Sequence, residues 1–427
     1  MKSRKFYFID LPSWLIILMP ILLISGPFLS DLALSIVSIL FIINSIKNKL
    51  IKFYDNIFFK TFLIFYITLL ISSLLSENII LSLKNSFFYF RFGIFSLSFW
   101  YLIEQNIKIL KLLFFSILIC FTALIVDGYI QYILGENLFG IKLYKHYRVS
   151  SFFGDELILG SFLSRLFPIL FGLFVYIDEK KVSKKLLFII TLIFILTEGL
   201  IFLSGERLAF FYMTLSAIFI IIMIKNYKIY RLVTYLLSLT FIIILLFLFP
   251  QSKERFIDQT INDFTKGDDR KIHIFSKPHN DMYKTGFSMF LDNKFFGVGP
   301  RQFRNRCKEY PVSEYSCDTH PHNTYIELLS ETGLFGFLFI ISLFILICYA
   351  SIKHLIYKFL TPNKIYFNDF EICLVSALVI SLWPFGPSGS FFNNWMSIVY
   401  FFPIGILLWQ FELKKNLNDA LKASKNQ

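Results

Sequence analysis

The chain alternates between long apolar runs and short polar breaks. A helix needs about 20 apolar residues to cross a bilayer, and twelve runs read as spans: about 13–28, 30–46, 57–75, 86–103, 109–126, 156–177, 186–203, 206–224, 232–250, 325–351, 369–388 and 395–411. Spans seven and eight are joined only by Ser204-Gly-Glu-Arg207. Two polar segments are longer than a connection requires, residues 127–155 and residues 251–324. The second is too long to be a structureless loop and should hold helices of its own. Within it, Asn280 to Leu291 puts Tyr283, Phe287, Phe290 and Leu291 on one helical face. Gly297-Val-Gly-Pro300 then closes that element as a turn. Thr324 and Glu327 have capping-box spacing, which predicts a helix starting after Thr324 and running into an apolar span. The expected organisation is residues 1–250 with nine spans, a polar region 251–324, residues 325–411 with three spans, and a tail 412–427.

Composition agrees with a polytopic membrane protein: 56% hydrophobic, 17% charged, mean hydropathy +0.64. The 55 Phe carry no functional reading. A net charge of +13 could point to nucleic acid. Most of it lies instead in alternate short loops, where it sets topology and leaves no nucleic-acid partner to expect. With the N-terminus in the cytoplasm, the cytoplasmic loops carry Lys47, Lys49 and Lys52; Lys108 and Lys111; Lys180, Lys181, Lys184 and Lys185; Lys225, Lys228 and Arg231; and Lys353, Lys358 and Lys364. Both termini are therefore expected inside, with 127–155 and 251–324 on the opposite face. Met1-Lys-Ser-Arg-Lys5 leads into the first span with no small-residue cleavage site.

The candidate chemistry gathers on that outer face. His320 and His322 stand two residues apart at the start of span ten. An imidazole, with an ordinary pKa of about 6.5, can act as a base at neutral pH; a solvated loop histidine is the plainer reading of either. A metal site of His320 and His322 lacks further ligands at suitable spacing. Arg207 opens span eight, Arg148 lies in the first large outer loop, and Arg301, Arg304 and Arg306 follow the Gly-Val-Gly-Pro turn. Arginine binds phosphate oxygens bidentately and stays charged. Glu198 falls inside span seven, where an ionisable group is a functional candidate. Arg165 lies in span six with no partner evident in the sequence. Cys307 and Cys317 would form a disulfide in an oxidising compartment. A Walker A motif, a nucleophile elbow and HExxH are all absent from the sequence.

The chain resembles the O-antigen ligase/polymerase superfamily. His322-Asn323, nine residues, then Gly333-Leu-Phe-Gly336 match its signature. Arg148 with Phe153-Gly-Asp-Glu-Leu-Ile-Leu-Gly-Ser161, Ser204-Gly-Glu-Arg207, and Phe296-Gly-Val-Gly-Pro300 follow in the family's order. The resemblance implies an all-α integral membrane glycosyltransferase of GT-C type, with about twelve transmembrane helices and one large periplasmic helical region. It implies a multi-pass protein of the bacterial inner membrane with a periplasmic active site. It further implies transfer of glycan from undecaprenyl pyrophosphate to a lipid A–core sugar, with no cofactor or metal. A polymerase would instead use another lipid-linked repeat, and a protein O-glycosyltransferase a protein acceptor. Carried over, His322 is the base and Arg207 holds the pyrophosphate; Arg148, His320, Asn323 and Glu198 are further site candidates. For the periplasmic-loop contact the candidates are His279, Arg270 and Arg301. A flippase or exporter would line mid-bilayer depth with polar residues, whereas these candidates cluster on one face.

Overall fold

The computed structural model describes residues 10–178, 183–265, 275–361 and 366–425; Lys180, Lys181, Lys364, Arg270 and His273 lie outside them. The described chain is helical, with two isolated β-bridges and no strand. The first helices are α1 (Leu11–Ile24), α2 (Pro27–Asn48), α3 (Ile57–Leu74), α4 (Ile79–Ser86), α5 (Phe90–Gln105) and α6 (Lys108–Leu134). Then follow α7 (Leu159–Asp178), α8 (Lys184–Ser204), α9 (Arg207–Met223) and α10 (Lys228–Leu248). The long polar region holds α11 (Pro250–Lys253), α12 (Gln259–Thr265), α13 (Lys277–Asp292) and α14 (Phe303–Arg306). The chain closes with α15 (Thr324–Leu360), α16 (Asp369–Ser381) and α17 (Asn394–Lys425).

Among the described residues nine helical segments are long and apolar enough to cross a membrane, counting Ile79–Gln105 as one. Three expected spans correspond to shorter helices: α1 with 14 residues, α9 with 17 and α16 with 13. The span expected over 369–388 stops at Ser381, because Pro384, Gly386, Pro387 and Gly389 cannot continue a helix. Residues 382–393 instead turn back into the protein. The outer loop expected from residue 127 begins later, because α6 runs on to Leu134 and Gly135 ends it in the left-handed region (φ 85°). Asp127 is tolerated inside α6 because the returning loop satisfies it: its carboxylate accepts from Asn137 Nδ2 (3.1 Å), Leu138 N (3.1 Å) and the Ser151 hydroxyl (2.6 Å).

Aromatic rings and small residues make the helix crossings. Phe65 of α3 stacks on Phe339 of α15 at 4.0 Å. Gly405 of α17 sits where a Cβ would come 2.7 Å from the Ser96 carbonyl of α5. The Ser216 and Ser376 hydroxyls meet at 2.9 Å between α9 and α16. Such small, hydroxyl-bearing contacts suit helices that gain nothing from excluding water.

One break organises the cavity end of the bundle. Gly333 has φ 66° and ψ −159°, so α15 is two helices meeting at a kink. The kink frees carbonyls that must find other donors. The Gly297-Val-Gly-Pro turn supplies them: Val298 N donates to Ser330 O (3.0 Å) and Gly299 N to Glu331 O (2.9 Å), while Leu334 N donates to Lys294 O (2.8 Å). The Ser72 hydroxyl bridges Phe296 O (2.6 Å) and Glu331 O (2.9 Å). The Glu331 carboxylate accepts Arg301 N (2.6 Å) and Phe303 N (2.9 Å). A small second core of Met282, Met289, Val298, Phe303 and Cys307 lies beyond this clasp, and a disulfide joins Cys307 to Cys317.

A Cβ at Gly333 would come 2.3 Å from the Phe295 carbonyl carbon in a conformation that disfavours L-residues. Gly333→Ala is therefore expected to cost on the order of 1–3 kcal/mol, read as a lower melting temperature in detergent; an unchanged melt would remove the clasp from the account.

Candidate functional site

A cavity of ≈ 1300 Å³ opens among the helix ends and is lined by Arg148, Arg165, Arg207, Arg255, Arg301, Arg304, His279, His320 and His322, among others. Eight of the residues singled out in the sequence thus converge: Arg148, Arg165, Arg207, Arg301, Arg304, His279, His320 and His322. Asn323 and Glu198 do not line it. Asn323 is buried as the N-cap of α15, accepting from Tyr325 N (3.0 Å) and Ile326 N (3.1 Å) and donating to Pro384 O (3.0 Å). This replaces the expected Thr324–Glu327 capping box. Glu327 instead accepts from the Ser390 hydroxyl (2.5 Å) and Phe391 N (2.7 Å), tying the 382–393 segment to α15. Glu198 is buried between α8 and α10 and accepts from the Ser238 hydroxyl.

The arginines are set by the tight turn between α8 and α9. Gly205 takes the left-handed conformation (φ 69°) that ends α8, and Arg207 is the first residue of α9. A Cβ on Gly205 would come 2.9 Å from Arg148 Nε, so the glycine also makes room for that side chain. Arg148 Nε donates to Ser204 O (2.8 Å). Its backbone is fixed by a bridge to Tyr144, and Gln131 Oε1 holds the following Ser150 N (3.0 Å) and Ser151 N (2.7 Å). Arg207 Nη1 donates to Thr260 Oγ1 (2.9 Å), and Arg255 Nη1 to Gln259 Oε1 (2.6 Å). The Glu206 carboxylate accepts Gly160 N (2.7 Å) and Ser161 N (3.0 Å) at the start of α7. Desolvation raises its pKa to about 7 against the opposing pull of those amides, Arg148 and Arg165. Nearly two turns into α7, Arg165 donates to Ser161 Oγ (2.8 Å) and lies over the Tyr212 ring at 5.0 Å. The arginine with no evident partner in sequence is thus partnered across α7 and α9.

The histidines form the facing wall. His322 has φ 52°, and its carbonyl accepts Ser388 N (2.8 Å) from the returning segment. Its Nε2 lies 3.1 Å from Asp318 Oδ2, with the side chain 31% exposed. The His320 ring is 4.1 Å from that of His322, and the His279 ring meets it edge-on at 5.7 Å. His320 Nε2 faces Ser388 O at 3.3 Å, and burial, then repulsion from His322, lowers its pKa to about 4. Arg301 donates to Phe392 O (2.8 Å). Among the described residues no group of three or more His, Cys, Asp or Glu could hold a metal ion.

Asp318 and Arg255 escaped the sequence reading. Asp318 lies four residues before His322 but in no helix, so only proximity in sequence could have marked it. Arg255 lies just after α11 in a stretch without a motif.

The fold and cavity define an all-helical, multi-pass membrane protein with an arginine- and histidine-lined chamber at its helix ends. Residues 187–341 match the family model described as O-Antigen ligase. The match takes in Arg207, Arg301 and His322; Arg148, Arg165 and the 382–393 segment lie outside it. The chain is also similar to the teichuronic acid biosynthesis protein TuaE of Bacillus subtilis (strain 168), 26% identical over 148 residues, which is 35% of this chain and 28% of that protein. The matched stretch thus spans little more than a quarter of that relative's length.

His320 binds its proton only near pH 4 when folded but near 6.5 when unfolded. The unfolded chain therefore takes up the extra proton between these values, and stability falls as pH drops through that window. Melts at pH 7.5 and 5.0 should show a smaller pH-dependent loss for His320→Asn than for the parent; equal losses would refute the assignment.

Proposed function

We propose that this protein transfers a glycan from undecaprenyl pyrophosphate to a lipid A–core sugar on the periplasmic face of the inner membrane. The match of residues 187–341 to the O-antigen ligase model supports a membrane glycosyltransferase-like role in polysaccharide biosynthesis. The observation that carries the finer reading is the meeting, in one cavity, of the Arg148–Arg207 turn with the Asp318–His322 pair.

Glycosyl transfer needs a nucleophile made stronger and a leaving group made weaker as a base. Asp318 on Nε2 orients His322 and leaves Nδ1 to take the acceptor hydroxyl's proton. The acceptor oxygen attacks the anomeric carbon as the bond from that carbon to the phosphate oxygen breaks. The electron pair leaves with undecaprenyl pyrophosphate, whose growing charge Arg207 and Arg148 neutralise. Direct displacement inverts the anomeric centre. Arginine supplies the charge that a metal ion supplies elsewhere, so the proposed reaction runs without one. Arg301 and His279 line the wall near the base and contact the substrate in this reading.

Orientation follows from charge. Helix α9 runs from Arg207 at the cavity towards Lys225, and α15 from His322's neighbour Thr324 towards Lys358. The lysines therefore stand at the far ends of helices that begin at the cavity, as expected when cavity and cytoplasm lie on opposite sides. Both termini are cytoplasmic in this arrangement. A second reading is a polymerase whose acceptor is another lipid-linked repeat; the similarity to a teichuronic acid biosynthesis protein supports polysaccharide biosynthesis under either.

The lipopolysaccharide profile of a deletion strain separates the two. Full-length glycan stranded on its carrier marks the ligase, and core bearing one repeat marks the polymerase. Restored to such a strain, His322→Ala should give no detectable transfer at normal membrane abundance; near-normal transfer would dismiss the base. Arg207→Lys should lose most activity, because a point charge does not replace a bidentate fork; full activity would reduce Arg207 to an anchor.

A further inference from the structure

Helix α13 has three faces. Asp281, Met282, Thr285, Gly286 and Met289 are buried against the protein. Gly286 sits where a Cβ would come 2.6 Å from Ile326 Cγ2 of α15, and Thr285 Oγ1 donates to Tyr310 O at 3.2 Å. A polar flank carries Ser288, about 100° round the helix from Phe287, while Lys284 lies two turns before Leu291 on the same outer stripe. The outer face carries Phe287 and Leu291, each 48% exposed, with the Phe290 ring 6.0 Å from that of Phe287. This is the apolar face read from the sequence, and the chain leaves its outer part uncovered. A helix whose other side already rests on a core does not need this strip for its own packing, so the strip implies a second apolar neighbour.

Continuity identifies that neighbour. Phe295, one turn beyond Leu291 in sequence, is 63% exposed. The rings of Phe295 and Phe296 lie 6.4 and 5.2 Å from Phe335 of α15. Phe335 and Leu338 are themselves exposed, at the start of the apolar run that follows the Gly333 kink in a helix able to cross a membrane. The α13 strip therefore merges with the exposed apolar surface of a helix long and apolar enough to cross a membrane. Exposed Lys284 and Lys294 flank it, where long basic side chains can reach lipid phosphates.

We propose that α13 lies in the headgroup–acyl boundary of the leaflet on the cavity side, with Phe287, Leu291 and Phe295 towards the acyl chains and Lys284 and Lys294 among the phosphates. Its other end carries His279 to the cavity wall. The lipid contact thereby fixes the height of that wall above the hydrocarbon, a role that does not depend on which glycan is moved.

The test uses the full chain in nanodiscs of phosphatidylethanolamine and phosphatidylglycerol, with Cys120, Cys348 and Cys373 replaced by Ala. Nitroxide labels are placed through Phe287→Cys, Leu291→Cys and Ser288→Cys, retaining only variants whose gel-filtration profile matches the parent. Labels at 287 and 291 should be reached by oxygen and shielded from a water-soluble nickel chelate, and the label at 288 should show the opposite contrast. Nickel access at 287 and 291 equal to that at 288 would overturn the proposal. So would shielding of 287 and 291 from both reagents, or spin–spin broadening between labels, since these mean a protein partner or a second copy covers the face. None of these readouts involves glycan transfer, so they stand or fall apart from the proposed function.

Discussion

Backbone hydrogen bonding at the Gly333 kink governs how the cavity end of the bundle is built. A helix broken inside a membrane protein must have its freed carbonyls paired. Here they are paired by the amides of a turn more than thirty positions earlier, Val298 and Gly299 on Ser330 and Glu331. That pairing explains why the chain needs Gly297 and Gly333 close together: a Cβ on either would fall within 2.4 Å of the other segment's backbone. It also places Arg301 at the cavity, because the Glu331 carboxylate holds the amide of Arg301 itself. The two glycine motifs are thus halves of one clasp, and the catalytic proposal inherits its geometry from them.

On the other side of the cavity the α8–α9 turn does the corresponding work. Gly205 admits Arg148, and Glu206 is held on the first amides of α7. Five separate segments, the loop after α6, α7, the α8–α9 turn, the stretch after α11 and the stretch around the start of α14, each bring arginine to the same chamber. Histidines arrive from α13 and the approach to α15. Grouping cations costs energy through mutual repulsion, and an anionic group bound among them would relieve it. This is the physical reason for reading the chamber as a site for pyrophosphate.

Apolar periodicity made the helices legible, because membrane helices announce themselves by length and hydropathy. It was less informative at their ends. The run over 369–388 looks continuous in hydropathy, yet its prolines and glycines end α16 at Ser381 and send the following segment back to bind Glu327 and His322. Asp127 looked like a loop residue because a charge within an apolar helix is paired only by tertiary contacts, here with Asn137 and Ser151. His322, Arg207 and Arg148 were legible through ordered motifs. Asp318, Arg255 and the partners of Arg165 were not, since nothing in local spacing records contacts made across the chamber. The amphipathic pattern of α13 was legible too, but only the structure shows that its apolar strip faces away from the protein.

In the proposed reaction a glycosyl bond to a lipid pyrophosphate is broken in this chamber and a new one is made to an activated hydroxyl. Purified protein in liposomes, given an undecaprenyl-pyrophosphate-linked glycan of known anomeric configuration and a lipid A–core acceptor in the presence of EDTA, tests it directly. A joined product of inverted configuration is expected, with one free undecaprenyl pyrophosphate per transfer. Carriage of the intact lipid-linked glycan across the bilayer, with no bond cleaved, would contradict it.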